Sequence, residues 1–341
     1  MTTKYWVGNG GNWSDTAHWS STSGGTGGAS VPSTGDTATF DANSASSGYN
    51  VDVSAPILCH LDTTNQVNLN LNILSGGSLS LQEGISCSSL MVQGGNFVTN
   101  NYDINASRLG LIETSIVDLG SSTVNCNDPD DSAQFVCDST VYLSAGLATI
   151  ILTSGFEVDF LGGGQNYGTV QLIATSSGCL IQLEDGTHSH ITNLSINGDA
   201  NVELGIASGE VETIGTSLTL SGVTEGNLII NGNGGTLSMA SGTVDATNCT
   251  ISNFTATGGA TFYALTSNGC IDGGGNTGWI FIDVPAIRYW VGNSGNWNDI
   301  SHWSYTSGGE GGAQVPTIND DVSFDENSFS QDTGFINFGE E

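Results

Sequence analysis

Residues 5–44 read YWVGNGGNWSDTAHWSSTSGGTGGASVPSTGDTATFDANS, and residues 289–328 read YWVGNSGNWNDISHWSYTSGGEGGAQVPTINDDVSFDENS. The two segments align at a constant offset of 284 with no gap; of 40 positions 14 differ, leaving 26 identical (40 − 14). No other feature constrains the fold as strongly, because near-identical segments must adopt one structure twice. The chain is therefore a long middle bracketed by two copies of one module.

Each copy is poor in aliphatic residues and rich in Gly, Ser, Thr and Asn. Six of the seven tryptophans lie in the copies: Trp6, Trp13, Trp19, Trp290, Trp297 and Trp303. Three such side chains, burying roughly 150–250 Å² each, can build the small core that aliphatics do not supply. Ser14-Asp15 and Asn298-Asp299 are placed to cap a single helical turn running into Trp19 and Trp303. Gly-rich loops follow, then short strands ending at Phe40 and Phe324. His18 and His302 stand at equivalent positions; without a third converging ligand they read as packing residues rather than metal ligands. The module reads as a structural cap, with carbohydrate binding by exposed tryptophans as the competing role.

From about residue 45 to 287 the chain is strand after strand. Val67, Leu69, Leu71 and Ile73 alternate with Asn68, Asn70 and Asn72, a period-two pattern with one face inward. Gly-Gly pairs recur at 76, 94, 234 and 258, and two of the intervals, 18 (94 − 76) and 24 (258 − 234), match one coil of a solenoid. The fold class predicted is all-β: a right-handed parallel β-helix of ten to twelve coils at about 20–24 residues each. A β-sandwich array is the alternative. The predicted organisation is a Trp-rich module over 1–44, a β-solenoid over 45–287 and the second module over 288–341. A solenoid has open strand edges at its ends, so a leading cap has a physical purpose.

The pattern Tyr-Trp-Val-Gly, Gly-Asn-Trp-(Ser/Asn)-Asp, His-Trp-Ser, Val-Pro, Phe-Asp resembles a module of bacteriophage virion proteins, and is similar to the start of passenger repeats in autotransporter-like adhesins. In both it precedes a parallel β-helix. Residues 254–280 (FTATGGATFYALTSNGCIDGGGNTGWI) look like the closing coil of such phage proteins. No catalytic residue travels with the module. The resemblance implies a structural virion component, a tail fibre, spike or exterior decoration, with other virion proteins and a host-surface glycan as partners. It also implies a homotrimer.

Charge narrows the partners. Lys4, Arg108 and Arg288 are the three basic residues against 34 acidic ones, a net charge of −31. Nucleic acid and anionic membrane surfaces both require clustered Lys and Arg, so neither is expected as a partner. No apolar signal region opens the chain and no run reaches the 18 apolar residues of a membrane span. The expected localisation is the virion, after synthesis in the host cytoplasm. Seven scattered cysteines form no Cys-x-x-Cys pair and read as small buried hydrophobes; Cys126 and Cys137, flanking an acidic loop, are the one candidate disulfide.

Catalytic candidates are sparse, and no enzyme activity is expected. Glu157 and Asp159 sit at i and i+2 on one strand, about 7 Å apart, a spacing open to an inverting glycan hydrolase. Glu210 and Glu212 repeat the arrangement. With so many acids in the chain, both pairs read first as solvated faces. The stretch from Glu184 to His190 puts His188 and His190 beside two acids, a further metal candidate. Asp128, Asp130 and Asp131 gather the hard oxygen ligands calcium takes, though without the spacing of a known calcium loop. Calcium is thus the one cofactor the residues suggest. Two rival functions stand beside the structural one: a glycan-depolymerising tailspike and a bacterial surface adhesin.

Overall fold

Alternation dictates the strands. In the strand Leu69–Leu74, Leu69, Leu71 and Ile73 are buried and the asparagines between them face out. The computed structural model, which describes residues 2–66, 68–127, 134–183, 189–204, 211–281, 287–316, 320–330 and 334–338, stacks such strands in parallel register. Val67, part of the predicted alternation, lies outside the described residues. One inward column runs Val51, Leu71, Leu90, Leu109, Phe135, Phe160, Leu183, each residue paired with the next across adjacent rungs. Another wall carries Leu79, Phe97, Val117 and Leu143 in the same way. The protein is all-β, a parallel β-solenoid of about 11 turns. Each aliphatic or aromatic side chain fully buried in these columns contributes about 1.5–3 kcal/mol.

Coil length is less regular than the predicted 20–24 residues. It ranges from 18 (Val244 to Phe262) to 28 (Val202 to Ile230). Some of the irregularity falls inside the strands themselves, where the register shifts between Ala145 and Thr149 and between Ile191 and Asn193. From the third wall-length strand onward one strand even becomes two: Ile104–Ile112 pairs with both Thr123–Asn127 and Phe135–Cys137. The residues between those two strands include Asp128, Asp130 and Asp131, which lie outside the described residues.

Asparagine is abundant for a local reason. Asn68, Asn100, Asn101, Asn233, Asn248 and Asn253 adopt left-handed backbone conformations that few residues other than Gly and Asn tolerate. Several of these side chains then tie one coil to the next: Asn100 Nδ2 donates to Leu81 O at 2.8 Å, and Asn101 Oδ1 accepts from Ser121 N–H at 2.9 Å.

All seven cysteines are buried and none forms a disulfide, which corrects the candidate Cys126–Cys137 pair. Both stack on Ile104–Ile112, Cys126 on Ala106 and Cys137 on Leu111. Five residues along one strand separate them by roughly 16 Å, far beyond disulfide reach. The sulfurs that do meet are Cys249 and Cys270, 3.2 Å apart on adjacent rungs. The Cys270 sulfur, with burial, holds the Cys249 thiol protonated well above the ordinary thiol range. Treatment with the thiol oxidant diamide should link these two and leave Cys126 and Cys137 reduced. Intact mass would fall by two hydrogens, and a 21-residue link would stabilise the folded chain by about 3 kcal/mol. Recovery of any other linked pair would show the contact to be unproductive.

The chain divides into two compact units, Met1–Ala264 with Asn268–Trp279, and Leu265–Ser267 with Ile280–Glu341. The first module belongs to the same unit as the solenoid. At the far end of that unit Trp279 packs against Phe254 and Phe262, with ring centroids 5.8 and 5.3 Å away. Among the described residues no helix is long and apolar enough to cross a membrane.

Candidate functional site

The module's core is aromatic. Trp6, Trp13, Trp19 and Phe40 interlock, with Trp19 set edge-on to Trp6 at 5.1 Å and to Trp13 at 4.8 Å. Two of the three indole N–H groups find carbonyls: Trp6 Nε1 donates to Asn9 O at 2.7 Å and Trp19 Nε1 to Trp13 O at 2.8 Å. Asp15 caps the 3₁₀ turn Thr16–His18, its carboxylate accepting from Ala17 N–H at 2.9 Å. His18 stacks flat on Trp6, 4.7 Å between centroids, and its Nδ1 meets Val7 O at 2.9 Å. A carbonyl only accepts, so Nδ1 carries the proton. The histidine is a packing residue, as is His302, which stacks on Trp290 in the same way.

Two glycines show why the motif is strict. A Cβ on Gly11 would collide with the His18 ring, and one on Gly27 would collide with Ala17 O. Gly295 and Gly311 meet His302 and Ser301 O identically.

The first module is also the first rung of the solenoid. Gly11–Asn12 pairs in parallel with Tyr49–Val53, and Thr37–Thr39 with His60–Asp62. Trp13 N–H donates to Asp52 O at 2.9 Å. On the other side the ladder changes sense, since Thr3–Trp6 pairs antiparallel with the two-residue strand Trp19–Ser20. A short antiparallel edge blunts further parallel addition. At the outer margin Thr2 and Ser33 hydroxyls and backbone N–H groups hold the Asp36 carboxyl well below the usual carboxylate range, the Thr2 hydroxyl most strongly.

The second copy repeats the interior. Trp290 and Trp303 are fully buried, Ile287–Trp290 pairs with Trp303–Ser304 and Asp321–Ser323, and Gly295–Asn296 pairs with Ile336–Asn337. Asp299 caps its turn, its carboxyl lowered by the Ser301 hydroxyl and N–H. Arg288, in the place of Lys4, is buried under Tyr305 with Nη2 3.5 Å from Asp320. The margins differ: Trp297 is half-buried where Trp13 is 2% exposed, and Phe324 is 47% exposed where Phe40 is 1%.

No family model, characterised protein or solved structure matches the chain. Function has to be read from its own surfaces.

The acid pairs are not what their spacing suggests. Glu157 and Asp159 share the outward row of Glu157–Leu161, but only Glu157 is partly open; Asp159 is 7% exposed. Glu157 accepts from Gln182 Nε2 at 2.7 Å on the next rung. The same rung-to-rung bond joins Asp52 to Asn72, Glu113 to Gln93 and Asn105 to Asn125. Glu157 is thus one step of an outer polar ladder. Glu212 turns inward beside Ile214 and is buried, while Val211 faces out, which corrects its reading as part of a solvated face. Glu210, Glu184, Asp185 and His188 lie outside the described residues, and His190 is exposed. Among the described residues no three His, Cys, Asp or Glu side chains converge to hold a metal ion.

One surface escaped sequence reasoning. Register sets Ile116 against Tyr142 and Asp118 against Ser144 on neighbouring coils, and with Gln165 they line an open groove. Tyr142 and Ile116 are both exposed. They are 26 residues apart (142 − 116), and only the coil length in between makes them neighbours.

Proposed function

We propose that this chain is a structural component of a phage virion, a capped β-solenoid of a tail fibre, spike or exterior decoration that serves assembly or host-surface attachment. The observation that carries the reading is the first module, whose tryptophan core completes the first rung and ends its ladder in a short antiparallel edge. The acidic composition, with 3 basic residues against 34 acidic ones, suits an exterior surface and not a nucleic-acid channel. Mass spectrometry of purified particles from the encoding phage should find the protein at stoichiometric abundance; its absence from washed particles would overturn the reading.

Attachment would fall at the Ile116–Tyr142 groove. An exposed aromatic ring beside Asp118, Ser144 and Gln165 offers an apolar platform with a polar rim, the combination that sugar rings recognise. Tyr142→Ala should reduce binding to host-surface polysaccharide by tenfold or more without altering thermal stability. Unchanged binding would remove the groove from consideration. A depolymerising role through Glu157 and Asp159 is the weaker reading, because Glu157 serves the outer ladder and Asp159 is covered. Shortened chains after incubation with that polysaccharide would reverse this order.

A further inference from the structure

The groove at Ile116 and Tyr142, with a volume of about 440 Å³, is one end of a longer strip. Ser78, Asn96, Ile116 and Tyr142 form one outward row on four successive rungs, and Ser80, Val98, Asp118 and Ser144 form the row beside it. Asn96, Ile116 and Tyr142 are exposed in the first row, and Ser80, Asp118 and Ser144 in the second. With rungs ~4.8 Å apart the strip is ~14 Å long, and its two rows stand ~7 Å apart. That footprint is on the order of 100 Å², far below the ~800 Å² that each partner contributes to a standard protein interface. A folded protein does not fit such a seat; a short run of a narrow linear polymer does.

Charge selects the polymer. Asp118 is the one charged residue in the two rows, and the four strands carry no base. Glu113 and Asp138 stand at the corner where two of the rungs begin: Thr140 Oγ1 donates to Glu113 O at 2.9 Å and Val141 N–H to Asp138 O at 3.2 Å. An acidic polymer would bring its charges against these carboxylates with no cation in the strip to offset them. Asp118 Oδ1 accepts from Gly120 N–H at 3.0 Å, which orients the carboxylate. A carboxylate has two oxygens and accepts only, so Asp118 suits a ligand hydroxyl, and such a charge-assisted bond is stronger than a neutral one.

We infer that the strip binds a linear glycan free of acidic groups, running along the solenoid axis from Tyr142 across Ile116 to Asn96 and Ser78, with Asp118 accepting from its hydroxyls. The inference rests on the groove being the attachment site, and it adds the class of glycan and the contacts beyond the groove. Asp118 is then the residue that sets specificity, and Asn96, one rung past Ile116, lies outside the reach of a single sugar held on Tyr142.

The test titrates the full chain with fluorescein-labelled linear polysaccharides, uncharged (mannan, galactan and β-glucan) and acidic (polygalacturonate and hyaluronan). Saturable binding of an uncharged polymer and of neither acidic one is expected, unchanged between low and high salt. Asp118→Asn should weaken that binding about tenfold and Asn96→Ala about fivefold, the loss of a charged and of a neutral hydrogen bond. Unchanged melting temperatures show that both variants stay folded. Binding of an acidic polymer that Tyr142→Ala abolishes would overturn the inference and leave the groove standing. So would binding of an uncharged polymer that Tyr142→Ala abolishes while Asp118→Asn and Asn96→Ala leave it intact. No binding of any of these polymers, or binding that Tyr142→Ala also leaves intact, would overturn the groove and the strip together.

Discussion

Trp13→Ala should run as higher-order species in size-exclusion chromatography while its far-ultraviolet circular dichroism stays β-rich. Trp13 fills the floor of the module beneath Trp19, and its own backbone N–H ties the module to Asp52. Truncating a buried tryptophan costs about 3–5 kcal/mol, a large part of a typical folding stability of about 5–15 kcal/mol. A solenoid transmits most of its stability between neighbouring coils, so the loss falls on the first rung and leaves the rest intact. The edges of Tyr49–Val53 and His60–Asp62 are then uncovered and free to pair with another molecule. Trp297→Ala is the matched control: its ring is half-buried, and a smaller loss with unchanged size is expected. If Trp13→Ala keeps wild-type size and melting, the module does not cap, and its tryptophans serve an outside partner.

Phe160→Ala should be the most damaging change in the middle of the solenoid. Phe160 stacks on Phe135 at 5.2 Å, and Tyr167 stands edge-on to both. Tyr167 is held by its hydroxyl donating to Gly162 O at 2.6 Å, so the cluster has little freedom to collapse into the void. Loss of the ring should cost about 3–5 kcal/mol, a fall in melting temperature on the order of 10 °C. Because each coil couples mainly to its neighbours, a lesion at mid-length should also split one thermal transition into two. A single transition with a drop of only a degree or two would show that the coils relax around the gap. Phe156→Ala, nearby but exposed, should change neither quantity.

The Asp159 and Glu212 carboxylates show where sequence reading stops. Both close a Glu-x-acid pattern in the sequence, yet one is an outward residue that is covered and the other an inward residue beside Ile214. A single strand's alternation does not say which of its faces is inside; the coils above and below decide. Cysteine pairing failed for the same reason. Cys126 and Cys137 are close in the chain but stack at opposite ends of one strand, while Cys249 and Cys270, 21 residues apart, meet on adjacent rungs.

The repeated module, its tryptophan core, its capped turn and the stacked all-β middle are legible from the residues alone, because each depends on residue types a few positions apart or on a repeat visible by alignment. Register across the stacked coils was needed to show that the first module is the first rung, that Tyr142 lies beside Ile116 and that Asp159 is covered. Those facts depend on which residues share a rung. Coils vary from 18 to 28 residues, so vertical neighbours cannot be counted out at a fixed interval along the chain.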